Sequence, residues 1–235
     1  MTPDPSDLRV HAVLQAGGRG QRMGSDDIPK PLRRVRGVPM VERLYRQLIG
    51  AGVRRTTVVT GWLGAAVEDH VASVATAVGG DVAVVRETEP LGNAGALGLV
   101  DREEPALLVF ADLVTDMDFA ELVRVHRARG ADVTLASHRE QVRVRLGEIV
   151  ADGDRVEAYL EKPTKTFLIC SGVAVFEPRV LALAAAPVPV GISDLVTRAL
   201  DAGHSVTHWE HGAAWSDVNT PEELAAAARH APTPA

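Results

Sequence analysis

The 235-residue sequence predicts an α/β fold in which helices cover both faces of a mixed, mostly parallel sheet. Short apolar runs alternate with amphipathic stretches of helical length through the first half of the chain, which is typical of strand–helix–strand units. The first of these runs ends at two glycines and the most apolar one ends at an aspartate. Ligands of such sheets bind beyond the carboxyl ends of the strands, so we expect a site there.

In the first half, residues 10–14 predict a buried strand that ends at Gly17 and Gly18. Proline at position 39 and glycine at position 52 bound a helix with one apolar face. The following elements alternate in order: a strand at 56–60, a helix at 65–78, a strand at 82–86, a short helix at 94–100 and a strand at 106–111. The last of these strands runs directly into Asp112.

After Asp112 the alternation loosens, and strands and turns replace some of the helices. A doubly charged Asp-Gly-Asp turn at 152–154, flanked by alternating apolar residues, predicts a β-hairpin. The other expected elements are a helix at 119–129, strands at 132–137 and 171–176, a helix at 192–202, a strand at 205–210 and a helix at 221–228. Thr220 is the expected cap of the last helix.

Composition excludes several classes of function. A net charge of -6 provides no overall basic field, so we expect no nucleic-acid partner. Cys170 is the only cysteine, which excludes an internal disulfide and a cysteine-based zinc cluster and favours the cytoplasm. The N-terminal residues lack the pattern of a signal peptide, and no apolar run approaches the ~20 residues of a membrane span, so no membrane partner is expected.

The stretch LQAGGRGQRMGSDDIPKPL, residues 14–32, combines four glycines with the cations Arg19, Arg22 and Lys30. It is not a dinucleotide fingerprint, because Met23 stands where the third glycine would be, and it fails the phosphate-loop pattern too. Backbone N–H groups of such a loop can approach an anion closely, and the cations can neutralise a polyphosphate. The stretch therefore predicts a triphosphate site, with a glycine turn that binds no ligand as the alternative.

This stretch resembles the signature of the sugar-1-phosphate nucleotidylyltransferases of the NTP transferase superfamily, Leu-x-x-Gly-Gly-x-Gly-x-Arg-Met/Leu followed by Pro-Lys-Pro-Leu. Four further segments match in family order: ETEPLGNAGAL (87–97), VFADLVTD (109–116), LEKP (160–163) and WSDVNTPEEL (215–224). The resemblance implies a three-layer Rossmann-like nucleotidyltransferase fold in a single domain over residues 1–235. The nucleotide half would span about 9–118, and the acceptor half, with the hairpin, about 119–228.

The resemblance also implies the reaction, in which a sugar 1-phosphate oxygen attacks the α-phosphorus of a nucleoside triphosphate and pyrophosphate leaves. The catalytic residues it implies are Arg22, Lys30, Asp112 and Lys162. The nucleotide-binding residues it implies are Leu14, Ala16, Gly17, Gly18, Gly20, Glu87, Gly92 and Asn93. The acceptor-binding residues it implies are Glu161, Lys162, Cys170, Ser171 and Gly172. Asp112 and Asp217 would bind Mg²⁺, which prefers hard oxygen ligands.

Glu87 bears on the choice of nucleotide. The resemblance places a contact to the base edge here, five positions before Gly92, and an ionised carboxylate only accepts hydrogen bonds. Guanine presents two adjacent donors, whereas uracil and thymine present one, so we expect GTP. The alternative is that Glu87 is a surface charge, which leaves UTP, dTTP or CTP open.

Three departures from the family pattern put a plain hexose acceptor in doubt. Phe110-Ala111 replaces Asn-Gly before the metal aspartate, Cys170-Ser171-Gly172 replaces Asn-Ala-Gly, and the span after Arg22 is short, with Gln21 before it. A heptose 1-phosphate or a cyclitol phosphate is a plausible acceptor instead. A homo-oligomer is compatible with the sequence.

Two other functional classes are open at this point. Asp116 and Asp118 form an Asp-x-Asp pair, the spacing with which metal-dependent glycosyltransferases hold a nucleotide sugar. A non-enzymatic regulatory subunit of the same fold would have lost catalytic positions, yet the five cations and carboxylates implied at the reacting centre are present: Arg22, Lys30, Asp112, Lys162 and Asp217.

Overall fold

The structure, a computed structural model, describes residues 8–18, 21–23, 27–184 and 189–231. The strands in chain order are β1 Leu8–Gln15, β2 Arg34–Val35, β3 Val38–Pro39, β4 Val53–Thr60, β5 Asp81–Arg86, β6 Ala106–Phe110, β7 Leu113–Thr115, β8 Val133–Arg143, β9 Glu148–Asp152, β10 Arg155–Leu160, β11 Thr164–Phe176, β12 Val206–Glu210 and β13 Trp215–Asp217. Seven of them form one sheet in the order β12-β8-β11-β6-β1-β4-β5.

The helices pack on both faces of this sheet. In chain order they are α1 Met40–Gly50, α2 Gly64–Val78, α3 Phe119–Arg129, α4 Pro178–Ala184, α5 Ile192–Asp201 and α6 Pro221–His230. Successive side chains of β1 point to opposite faces, so Leu14 belongs to the core shared with α1, α2 and α3, whereas Val13 belongs to the core shared with α4 and α5. The predicted three-layer α/β fold is confirmed.

The pairing of the strands explains why one edge of the sheet is suited to a ligand. β1 pairs in parallel with β4 and β6, and β4 with β5, so the carboxyl ends of these four strands lie at one edge. β11 runs antiparallel to both β6 and β8, which brings residues near Cys170 to that same edge. The sheet is therefore mixed and mostly parallel, as predicted.

Several element bounds differ from the sequence prediction. β11 begins at Thr164 and β8 continues to Arg143, because residues 164–170 pair with 137–143 in a ribbon that extends beyond the core. The expected helix at 94–100 is a short 3-10 turn at Gly95–Gly98, where two glycines weaken α-helix formation. The hairpin of β9 and β10 turns at Gly153, as predicted.

The sequence pattern did not indicate α4 or two short ribbons, β2 with β3 and β7 with β13. The β7–β13 ribbon matters most for function, because it pairs Asp217 with Leu113, the residue after Asp112.

Among the described residues, no helix is both long enough and apolar enough to cross a membrane.

Candidate active site

Four polar side chains from distant parts of the chain meet at the carboxyl edge of the sheet. Nζ of Lys30 lies 2.6 Å from Oδ2 of Asp112 and 2.7 Å from Oδ1 of Asn219. The same Asn219 oxygen accepts a hydrogen bond from Nη2 of Arg22 at 3.0 Å. The sequence predicted Arg22, Lys30 and Asp112 for this centre; Asn219 was not predicted, although it lies in the matched segment WSDVNTPEEL.

Backbone pairing around β6 and β7 explains how Asp217 comes to lie near Asp112. Strand β6 ends at Phe110, and Asp112 occupies the turn before β7. β13 pairs antiparallel with β7, and the Val218 N–H donates to the carbonyl of Asp112 at 3.0 Å. Both carboxylates that the resemblance assigns to the metal are therefore neighbours in the fold.

The electrostatics at these carboxylates suit a cation. Burial raises the pKa of Asp217, and the negative charge of Asp112 raises it further. Oδ1 of Asp112 is buried and accepts no hydrogen bond from any residue that the structure describes. No group of three or more His, Cys, Asp or Glu side chains within the described ranges could enclose a metal. Two carboxylates are nevertheless a sufficient protein ligand set for Mg²⁺, which usually keeps waters and binds substrate phosphates.

A cleft of about 760 Å³ opens beside this centre and includes Asp112 and Asp217 in its wall. Five predicted nucleotide-binding residues line it: Gly17, Gly18, Glu87, Gly92 and Asn93. Gln15, Gly61 and Trp62 also line it, although none of the three was predicted. Each of the three follows or ends a parallel strand, which is the signal that could have identified them.

Three other predicted nucleotide contacts have a different status. The side chain of Leu14 is fully buried in the core, so it offers a ligand only its backbone. The side chain of Ala16 is also buried, and its N–H donates to the carbonyl of Val59 at 2.8 Å. Gly20 lies outside the described residues, as does Arg19.

Glu87 is held in the wall of the cleft. Its Oε1 accepts a hydrogen bond from the N–H of Leu91 at 3.3 Å, and the side chain of Gln15 also bonds to it. Burial raises the pKa of the Glu87 carboxyl. A Cβ on Gly17 would lie 2.4 Å from Oε2 of Glu87, so the absence of a side chain at 17 allows this approach.

The predicted residues Gly92 and Asn93 shape another loop that lines the same cleft. Gly92 has a φ of +82°, and a Cβ there would lie 2.4 Å from the carbonyl oxygen of Val190. Oδ1 of Asn93 accepts the N–H of Ile192 at 2.7 Å and so ties this loop to the start of α5. Asn93 therefore has a structural bond in addition to its position on the cleft.

The predicted acceptor residues are only partly brought together. Glu161 and Lys162 lie in the turn between β10 and β11, where both side chains are exposed and lie 3.7 Å apart, and neither lines the cleft. Cys170 is exposed at the carboxyl edge of the sheet, and Gly172, with a φ of +72°, packs against the ring of Phe110. The roles of these residues stay predictions.

The hydroxyl of Ser171 has partners inside the protein, and the predicted role of this residue in acceptor binding stays a prediction. The residue is fully buried, and its Oγ lies 2.8 Å from Nδ1 of His138 and 2.8 Å from Nε2 of His211. Its carbonyl accepts the indole N–H of Trp215 at 2.8 Å. The side chain points away from Cys170 because successive residues of a strand alternate between faces.

The Asp-x-Asp pair has structural partners. Oδ1 of Asp116 accepts the N–H of Ala214 at 2.8 Å. Oδ1 of Asp118 accepts the N–H of Glu121 at 2.8 Å, which caps the N-terminus of α3. The geometry therefore gives no support to a glycosyltransferase centre built on these two carboxylates.

Comparison with known proteins agrees with the resemblance seen in the sequence. The chain is 30% identical over 232 residues to a mannose-1-phosphate guanylyltransferase of Mycobacterium tuberculosis (strain ATCC 25618 / H37Rv), a match that covers 92% of this chain and 63% of that protein. Across the first curated relatives that it matches, the chain spans 51% to 63% of their length.

Solved structures share the fold at lower identity. HddC from Yersinia pseudotuberculosis complexed with GMP-PN superposes with a TM-score of 0.70 at 22% identity, covering 94% of this chain and 99% of that one. The inositol-1-phosphate CTP transferase from T. maritima superposes with a TM-score of 0.67 at 18% identity, covering 93% and 96%. The family model described as "Nucleotidyl transferase" matches residues 11–233. The chain therefore belongs to the nucleotidyl transferase family.

Proposed function

We propose that this protein transfers a nucleotidyl group from a nucleoside triphosphate, with GTP preferred, to a sugar or cyclitol 1-phosphate and releases pyrophosphate. The observation that carries the proposal is the convergence of Arg22, Lys30 and Asp112 at the mouth of a glycine-lined cleft. The relative from M. tuberculosis is named for this type of reaction with mannose 1-phosphate.

The residues present match what nucleotidyl transfer requires. The reaction depends on positioning and on neutralising the charge that moves to the leaving group, more than on acid–base chemistry. In this proposal, the backbone of Gly17 and Gly18 lies against the nucleotide, Arg22 neutralises the departing pyrophosphate, and Lys30 contacts the phosphate oxygens at the reacting centre. Lys30 is already desolvated, with an 8% exposed residue surface, which strengthens its field at a bound phosphate.

Asp112 and Asp217 are the residues that would hold Mg²⁺. The fit is supported by the buried Oδ1 of Asp112, which has no hydrogen-bond partner in the described part of the chain, and by the mutual repulsion of the two carboxylates; a cation would relieve both. When bound, Mg²⁺ supplies additional neutralisation of phosphate charge.

The side chain of Glu87 supports the preference for GTP. Its half-buried carboxylate accepts the Leu91 N–H and lies beside Gly17 in the wall of the cleft, where it can accept the two adjacent donors of guanine. Trp62, in the same wall, offers an aromatic face on which a base can stack. The GMP-PN complex of the Yersinia protein is consistent with a guanine nucleotide in this fold.

For the acceptor, we propose a sugar 1-phosphate other than a plain hexose, such as a heptose or cyclitol phosphate. Lys162 would bind its phosphate and Glu161 its hydroxyls, with Cys170 and Gly172 at the pocket floor. The support is that the hydroxyl of Ser171 is buried against His138 and His211, so that the Cys170–Gly172 segment offers a ligand fewer polar side-chain atoms than the amide-containing family pattern.

One experiment tests the reaction and both substrates. Pyrophosphate release is measured with GTP, UTP, dTTP, CTP and ATP at equal concentration, each against mannose, glucose, heptose and inositol 1-phosphates in the presence of Mg²⁺. With one of the acceptors, we expect turnover with GTP to be at least about ten times turnover with any other nucleotide. A site that matches the hydrogen bonds of its ligand discriminates by about that factor or more. A preference for UTP or dTTP would exclude the role assigned to Glu87. If no pair of nucleotide and acceptor gives pyrophosphate, the reaction itself is excluded.

We also propose that the protein is cytoplasmic and forms a homo-oligomer. Its single cysteine is a free thiol, as expected in a reducing compartment. Ile149, Val156 and Tyr159 are each about 60% exposed on the β9–β10 hairpin, which leaves apolar surface for a second copy. Light scattering should report more than one chain per particle, and Ile149→Lys with Tyr159→Lys should reduce the mass to one chain; a monomeric wild type contradicts this part.

A further inference from the structure

The side-chain amide of Asn219 connects the cations of the site with one of its carboxylates. Its Oδ1 accepts hydrogen bonds from Lys30 at 2.7 Å and from Arg22 at 3.0 Å, which uses both lone pairs of that oxygen. Its amide group also bonds to the carboxylate of Asp217, where the nitrogen must be the donor. One neutral group thus contacts both phosphate-directed cations and a metal-directed carboxylate.

We propose that Asn219 is a positioning residue. It holds the side chains of Arg22 and Lys30 in place for the phosphates of the nucleotide, and its hydrogen bond to Asp217 fixes their position relative to that carboxylate. Arg22 and Lys30 have long side chains with many rotamers, and ordering each side chain when a ligand binds costs conformational entropy. A shared acceptor orders both side chains before the nucleotide arrives. This inference rests on the proposed function for the identity of the ligand, a polyphosphate.

The chemistry of the amide explains why asparagine suits this position better than its isostere, aspartate. A carboxylate would also accept from Arg22 and Lys30, but it would neutralise the charge that the phosphates need. It would also place a negative charge beside Asp217 and lose the donor to that residue. The amide oxygen orients the cations and leaves their charge available to a ligand.

The backbone around Asn219 is itself anchored, so the amide is presented from a rigid support. The N–H of Asn219 donates to Oε2 of Glu223 at 2.7 Å, and the N–H of Thr220 donates to the same atom at 3.0 Å. Oγ1 of Thr220 accepts the N–H of Glu223 at 3.2 Å, which completes a capping box at the start of α6. The Val218 N–H bonds to the carbonyl of Asp112 on the other side.

The test measures binding of inorganic tripolyphosphate by calorimetry without metal, in the full chain. The variants are Asn219→Ala, the isosteric Asn219→Asp, Arg22→Ala, Lys30→Ala and the doubles Asn219→Ala/Arg22→Ala and Asn219→Ala/Lys30→Ala. Glu222→Ala, an exposed change in the first turn of α6, is the control. Thermal unfolding of each variant reports its folding separately.

We expect Asn219→Ala to bind tripolyphosphate about 10-fold more weakly, the scale of hydrogen bonds to charged groups. Asn219→Asp should bind at least as weakly although its shape is conserved, whereas Glu222→Ala should bind like the wild type. Each double variant should bind more tightly than the product of its two single losses predicts, because removing Arg22 or Lys30 already removes part of what Asn219 does. With GTP and Mg²⁺, Asn219→Ala should lower kcat and leave the KM for the acceptor unchanged.

Three results would overturn the proposal: a wild type that binds no tripolyphosphate, an Asn219→Asp that binds as tightly as the wild type, or losses in the double variants that multiply in full. The Asp variant keeps the test valid if the Ala variant does not fold. The variants can show coupled losses of binding while the wild type releases no pyrophosphate with any substrate pair. That result would exclude the proposed function and still support the assignment of Asn219.

Discussion

Lys30 and Asp112 are 82 residues apart in the chain, and their charged groups lie 2.6 Å apart in the fold. The lysine side chain is 10% exposed and that of the aspartate 29%, so this ion pair is partly withdrawn from water. A charge in such a place requires a partner, because an isolated buried charge costs several kcal/mol. The pair therefore places a phosphate-directed cation and a metal-directed carboxylate in contact, and each can exchange its partner for a ligand of opposite charge.

Asp112→Asn should abolish measurable turnover. The substitution removes the charge that would hold a divalent cation but conserves the shape of the side chain, and metal assistance contributes several kcal/mol to such reactions. We therefore expect pyrophosphate release to fall at least about 100-fold. The unfolding temperature should fall as well, because Lys30 loses its charged partner, so the rate is measured at a temperature at which the variant is folded. Retention of the wild-type rate would remove Asp112 from the metal site.

Asp118→Asn is the matched change in the Asp-x-Asp pair. Asparagine caps a helix as well as aspartate does, so the hydrogen bond to the Glu121 N–H should persist. We expect pyrophosphate release within about twofold of the wild type, since surface caps far from the reacting atoms have small effects. A loss comparable to that of Asp112→Asn would revive the reading in which Asp116 and Asp118 hold the metal.

Glu87→Gln should weaken the selection of guanine. The amide of glutamine turns a donor toward one of the two guanine donors, so we expect kcat/KM for GTP to fall about 10- to 100-fold and the ratio to UTP to narrow. ITP, which lacks the exocyclic amine, should be a poorer substrate than GTP for the wild type and an equal one for the variant. A GTP-to-ITP ratio that the substitution leaves unchanged would contradict a contact between Glu87 and the base.

The same carboxyl should make GTP binding sensitive to acid. Burial raises the pKa of Glu87 above its ordinary value of 4.5, so on acidification the carboxyl takes up its proton at a higher pH than an exposed glutamate does. Protonation replaces an acceptor by a donor, and KM for GTP should rise as the pH falls through that pKa. The measurement is KM against pH for the wild type and for Glu87→Gln, whose profile should lack this rise.

Gly61→Ala should disturb the nucleotide loop through its backbone. A Cβ at position 61 would lie 2.6 Å from the carbonyl oxygen of Gly17, and a backbone atom cannot move aside as a flexible side chain can. We expect KM for the nucleotide to rise about 10-fold and the free energy of unfolding to fall by about 1–3 kcal/mol. Gly50→Ala, where a Cβ meets open space at the end of α1, should be neutral or stabilising by up to about 1 kcal/mol. Equal effects of the two changes would contradict the close contact.

Buried histidines should make the fold less stable in acid. His11 is 8% exposed, its Nε2 lies 2.8 Å from Oγ1 of Thr57, and burial lowers its pKa below 6.5. As the pH falls below 6.5, the unfolded chain binds a proton at His11 before the folded chain does, so the free energy of unfolding decreases. His126 and His211 act in the same direction, because burial lowers their pKa values too.

Urea unfolding between about pH 7.5 and about pH 5.5 measures this loss. One histidine contributes at most about 1.4 kcal/mol per pH unit, and His11→Gln should reduce the slope accordingly. A slope that His11→Gln leaves unchanged would assign the acid sensitivity to other groups.

The sequence predicted the strands and helices of the core well because their signals are local. The apolar run of β6, the proline and glycine that bound α1, and the Asp-Gly-Asp turn of the β9–β10 hairpin each act within a few residues. The outer part of β11 was missed, since residues 164–170 are exposed and carry no periodic burial. The hydrogen bonds of Ser171 to His138 and His211 were not predicted, because a local pattern does not show which way a side chain in a strand points.

The sequence by itself determined the α/β class, the glycine loop with its cations and the family to which the chain belongs, since these properties depend on residue type and short spacing. Tertiary structure alone decided which of these groups meet. The hydrogen bonds that join Arg22, Lys30, Asp112 and Asn219 link residues separated by 82 to 197 positions, and no local pattern encodes such contacts. They arise because parallel strands bring their carboxyl ends to one edge and the β7–β13 ribbon returns the end of the chain to it.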